Sequence, residues 1–152
     1  MAKTNVKYVH TAYGVNHQER TVTCVLDYEI NLDSVPGIEF ITDIPEFNDF
    51  INRLVYQYGV KYIDNDSTTY GILRFRVTDI AFCSSDDIFD EVIGKRLSNT
   101  RAQKLAFSNT KYFYSDIAKI VMHYVVENNN LAYNCYECEK DCHNHEFEVT
   151  AE

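Results

Sequence analysis

The chain has 152 residues, with 14 Lys and Arg against 23 Asp and Glu, for a formal net charge of −9. That length predicts one domain, and 45% hydrophobic residues are enough to fill a core, so wholesale disorder is excluded. The acidic balance excludes a generic coat on long DNA or RNA and docking on an anionic membrane, because both need surplus Lys and Arg.

The segment Met1 to Asn5 carries one positive charge and no apolar stretch after it, so it does not read as a secretory leader. No apolar run has the length of a bilayer span. A cytoplasmic protein is expected, and its five cysteines are then expected to be thiols.

Residues 7–13 read as a weak strand and 14–19 as a loop. Residues 20–30 alternate, with Val22, Cys24, Leu26, Tyr28 and Ile30 on one face, as in a half-buried strand paired to the first. Residues 45–58 read as a helix. Phe47, Phe50, Ile51, Leu54, Val55 and Tyr58 form its stripe, Pro45 suits its first turn and Gly59 its left-handed stop. Val60 to Ile63 reads as a short strand and Asp64 to Ser67 as a turn.

Residues 69–83 form the longest strand. Leu73, Phe75 and Val77 share one face, and Ile80 and Phe82 then take up the apolar role. That phase flip predicts a bulge at Thr78-Asp79. Cys24 and Cys83 sit in strand patterns and are expected in the core. Ser84 to Asp87 is rich in cap residues, so a helix is expected to start between Asp87 and Asp90, with Val92, Ile93, Leu97 and Leu105 as its apolar positions. Ser108-Asn109-Thr110 is expected to break it. A last helix over 113–127 ends at Asn128-Asn129-Asn130. The order predicts a single compact α+β domain: an antiparallel sheet with a helix pair after the last long strand.

The charge is unevenly spread. Residues 27–49 carry seven acids and no base, while residues 92–115 carry five bases (Lys95, Arg96, Arg101, Lys104 and Lys111) and no acid. An acidic surface of that kind also suits a protein that blocks a basic host factor or mimics nucleic acid.

Two constellations carry chemistry. Cys135, Cys138, Cys142 and His145 supply thiolates and imidazole at close spacing, the donor set of a small zinc-binding regulator. The second half of a zinc site normally follows a longer spacer, so the same residues read more simply as an acidic tail. No H-E-x-x-H motif accompanies them, no assembled acid–base pair is visible, and no cofactor is required; a non-enzyme is expected.

The second constellation is the turn into the helix after residue 83. A helix start offers free N–H groups and a positive dipole, Lys95, Asn99 and Arg101 add donors, and Phe89 adds a stacking face. These fit a nucleotide phosphate and base. From the pattern alone they read more simply as a core aromatic and a solvated basic helix face. Asp86, Asp87, Asp90 and Glu91 read more simply as cap residues than as a magnesium site.

Residues 78–104 resemble a motif of the bacteriophage anti-Thoeris sponge proteins, carried here by Cys83-Ser84, Asp87, Phe89, Ile93-Gly94-Lys95 and Arg101-Ala102. The resemblance covers about 27 residues, and the family often has Arg where Lys95 stands. It implies an α+β homo-oligomer, dimer or hexamer, that sequesters small signalling nucleotides without cleaving them. These are glycocyclic ADP-ribose isomers, and in some members also cyclic oligonucleotides. It implies that Phe89 stacks on adenine and that Asn99 hydrogen-bonds the ligand, with Lys95 and Arg101 as matched positions. Arg20, Arg74 and Arg76 are further candidates. On this reading residues 1–131 form the nucleotide-binding domain and 132–152 an acidic Cys/His tail.

Overall fold

The computed structural model describes residues 6–151, and the side chains of residues 6–129. Strands β1 (Lys7–Asn16) and β2 (Thr21–Asn31) form a hairpin. A 3₁₀ turn (Leu32–Ser34), α1 (Ile38–Ile41), α2 (Pro45–Tyr58), β3 (Lys61–Ile63), β4 (Ile72–Phe82) and α3 (Glu91–Ala151) follow. The four strands pair antiparallel in the order β1-β2-β4-β3, so the fold is α+β.

β2 is the centre of the sheet, and its alternation decides the architecture. Val22, Cys24, Leu26, Tyr28 and Ile30 are all buried on the helix-covered face. Leu73 and Val77 of β4 lie beside them in register and are buried too. Cys24 is a core thiol, held protonated by burial first and by nearby Asp79 second.

α2 forms as the sequence predicts. Pro45 is in its first turn, and Gly59 closes it in the left-handed conformation, sending its N–H to the Leu54 carbonyl.

Three expectations are corrected. β4 pairs continuously with β2 from Ile72↔Asn31 to Phe82↔Thr21, with no bulge at Thr78-Asp79. Ile80 and Phe82 simply face outward on the other side, 41% and 73% exposed. The irregularity lies in β1 instead, between Tyr8 and His10, on an edge strand. Cys83 is only half-buried and lies beyond β4 against Arg20.

The helix pair is one continuous helix. Thr110 does not break α3, because its hydroxyl donates to the Ala106 carbonyl (2.7 Å) within the helix and is buried. α3 also runs on through Asn128-Asn129-Asn130. Its sheet-facing stripe is Ser98, Ala102, Ala106 and Thr110, then Phe113, Ile117 and Ile120. The small residues let the helix lie close on β2. The larger apolar residues expected there, Val92, Ile93, Leu97 and Leu105, are exposed. The side chains of Cys135, Cys138, Cys142 and His145 lie outside the described residues, and α3 runs through the 131/132 position without a break.

Gly94 marks the closest approach. A Cβ there would stand 2.5 Å from Val22 Cγ2 and 3.0 Å from Val22 Cβ. Val22 is fully buried and has no room to move. Gly94→Ala gains up to about 1 kcal/mol of helix propensity. It loses about 1–3 kcal/mol to overpacking. A lower urea midpoint is therefore expected; an unchanged or higher midpoint would show that α3 does not sit this close.

On the open face of the sheet, β2 buries two acids between β1 and β4. Arg74 donates to Glu29 (2.6 Å) and Arg76 to Asp27 (2.8 and 3.1 Å). The Arg76 hydrogen bonds hold the Asp27 carboxyl below its usual 3.8, against the opposing effect of burial. A lowered folded value gives stability that is present above pH 4 and lost as pH falls below it. Asp27→Asn should flatten that acid limb in a thermal-melt series from pH 6 to 2.5. A limb of unchanged steepness would assign the acid sensitivity elsewhere.

Candidate ligand-binding site

α2 and α3 meet the sheet around a groove of about 650 Å³. Its floor is aromatic. Tyr28 and Phe75 stack with centroids 5.1 Å apart and planes 9° from parallel. Phe113 meets Phe75 edge-on at 5.7 Å and Phe50 at 5.8 Å. Burial pushes the Tyr28 phenol up to about 12, with Thr110 and Asn109 opposing that rise, so it stays neutral in the floor.

The rim is charged. Arg53 and Glu46 come from α2, and Asp116, Lys119 and His123 from α3; Arg76 borders the groove, but its guanidinium is on the open face of the sheet with Asp27. His123 Nδ1 lies 3.1 Å from Glu46 Oε1, joining the two helices. Lys119 lies 3.9 Å from Asp116, and Arg76 is held by Asp27. Among the described residues, Arg53 is the rim cation with no carboxylate within ion-pair distance. Gln57 and Asn109 add two amides. An apolar concave floor with a few polar groups at its edge is the usual form of a small-molecule site. Tyr28, Phe50 and Phe113 are buried beneath the groove, so half-buried Phe75 and exposed Tyr58 and Tyr112 are the aromatic surface open to a planar ring, and Arg53 suits an anion. The groove pairs His123 with Glu46, and among the described residues its lining includes no Ser, Thr or Cys.

The residues singled out in the sequence lie elsewhere, at the start of α3. The helix begins where predicted, but its first N–H groups are taken: Asp90 Oδ1 accepts from Val92 and Ile93 (2.9 and 3.1 Å). Lys95 pairs with Glu91 (2.9 Å) and lies 5.8 Å above the Tyr13 ring centroid. Asn99 donates to the Tyr13 hydroxyl (2.6 Å), and its Oδ1 is buried without a hydrogen-bond partner among the described residues. Lys95 and Asn99 therefore meet on Tyr13. Phe89 packs edge-on against His17 of the hairpin turn, at 5.4 Å. Arg101 is exposed, about 200° around the helix from Asn99.

The three other arginines are engaged internally. Arg74 and Arg76 hold β2 acids. Arg20, at φ +57°, donates to the Ser84 carbonyl (3.0 Å), the Asp87 carbonyl and Cys83 Sγ (3.3 Å), clipping the hairpin to the loop before α3.

Sequence reasoning missed the groove. Its signal was present in Asn109, Phe113, Asp116, Ile120 and His123, which follow one another at three- and four-residue steps. Placing a break at 108–110 separated Asn109 from the rest of that row. Among the described residues no group of three His, Cys, Asp or Glu side chains is placed to hold a metal ion, and no helix is long and apolar enough to cross a membrane.

The chain matches no protein-family model, no curated protein and no solved structure.

Proposed function

We propose that the protein binds a small nucleotide in the groove between α2 and α3 and holds it without chemistry. The observation that carries this is the groove's composition: a floor of Tyr28, Phe50, Phe75 and Phe113, with an uncommitted Arg53 at the rim. The volume is within the range of roughly 300–1,000 Å³ common for such sites. The resemblance of residues 78–104 supports a signalling nucleotide of the glycocyclic ADP-ribose type and a role in blunting a bacterial anti-phage response.

A second placement of the same ligand is favoured by one observation, the buried and unpartnered Asn99 Oδ1 beside Lys95 and Tyr13. There the resemblance gives the contacts to Phe89 and Asn99, with Lys95 beside them as a matched position; Arg101, the other matched position, faces solvent about 200° around α3 from Asn99. Self-association belongs to the same reading. Ile88, Val92 and Ile93 are 93%, 65% and 60% exposed near the start of α3, an apolar surface that a second copy would cover.

Native mass spectrometry with and without cyclic ADP-ribose tests the proposal. A bound mass of one nucleotide per chain is expected, on an oligomer. A spectrum unchanged by nucleotide contradicts it.

A further inference from the structure

The charge arrangement of the groove narrows its ligand class. Resting on the nucleotide reading above, we infer that the groove selects nucleotides with no more than two negative charges and rejects di- and triphosphates. Two of the three basic rim groups are already matched. Asp116 faces Lys119 at 3.9 Å, and Glu46 faces His123 at 3.1 Å. Among the described residues Arg53 alone is left to meet phosphate, and its planar fork binds one phosphate group through two hydrogen bonds.

Further phosphates have nowhere favourable to go. A chain extending from Arg53 along the rim meets Glu46 on α2 or Asp116 on α3. Both are part-exposed carboxylates, and like charges brought together are disfavoured. The aromatic floor takes the base in either case, so the ring supplies affinity and the rim supplies the charge limit. A phosphate monoester, a cyclic phosphodiester or a cyclised pyrophosphate fits; a linear polyphosphate does not.

The test is equilibrium dialysis of the full chain at fixed ionic strength against adenosine, inorganic phosphate, AMP, cyclic ADP-ribose, ADP and ATP. AMP and cyclic ADP-ribose are expected to bind, with ATP weaker than AMP by about tenfold or more. Adenosine and phosphate alone should each bind more weakly than AMP. Glu46→Gln with Asp116→Asn should narrow the gap between ATP and AMP by strengthening ATP binding more than AMP binding. ATP binding as tightly as AMP overturns the charge limit but leaves nucleotide binding standing. If none of the six compounds binds, both readings fall. A gap that survives the double substitution overturns the assignment to Glu46 and Asp116.

Discussion

Arg53→Ala is expected to weaken nucleotide binding by about 10- to 100-fold, with little change in stability. The size follows from losing a charge-assisted phosphate contact worth roughly 1.5–3 kcal/mol. Stability should hold because Arg53 is exposed on α2 and makes no ion pair among the described residues. Calorimetric titration with cyclic ADP-ribose measures the first quantity and a thermal melt the second. Asn99→Ala is the control for the other placement. It removes one hydrogen bond to Tyr13 and one unpartnered buried oxygen, so the fold should tolerate it. Binding lost with Asn99→Ala but kept with Arg53→Ala would move the ligand to the start of α3.

Phe113→Ala carries the largest expected stability cost, about 3–5 kcal/mol. Phe113 is 4% exposed and joins α3 to α2 through Phe50 and to the sheet through Phe75. Removing its ring opens a cavity where all three elements meet. Urea unfolding should show this as a lower midpoint at an unchanged slope. Phe113→Leu keeps most of the volume and separates packing from stacking. It should fold, yet bind nucleotide several-fold more weakly. Full affinity in that folded variant would remove Phe113 from the ring site.

The sheet and α2 were legible because their signals are local. The alternation of residues 22–30 names the buried face of β2, and Pro45 with Gly59 brackets α2. α3 was misread because the features that decide it are tertiary. Its core stripe of Ser98, Ala102, Ala106 and Thr110 is small and partly polar, so a hydrophobicity pattern passes over it. Those residues face β2 because a close helix–sheet approach leaves no room for larger ones, as Val22 against Gly94 shows. Thr110 looks like a breaker until its hydroxyl is seen to bond back to Ala106.

The candidate site depended on the same misreading. With α3 split, Lys95 and Arg101 formed the visible basic segment, and the row from Asn109 to His123 had no partner. In the fold, Lys95 is turned to Glu91 and Tyr13 and Arg101 to solvent. The groove instead draws its aromatic lining from β2, β4, α2 and α3, and Arg53, the rim cation without an ion pair among the described residues, from the middle of α2. Nothing in the linear sequence brings Tyr28, Phe75 and Phe113 together except the pairing of β2 with β4 and the continuity of α3.

The proposed function is capture of a small nucleotide that is returned intact. A capture-and-release assay measures that directly. The protein is incubated with glycocyclic ADP-ribose and filtered, and the retained fraction is then heat-denatured and analysed by mass spectrometry. Depletion of the filtrate, with the nucleotide recovered at its original mass after denaturation, is the predicted result. A filtrate that keeps all its nucleotide, or a recovered product of changed mass, would contradict it.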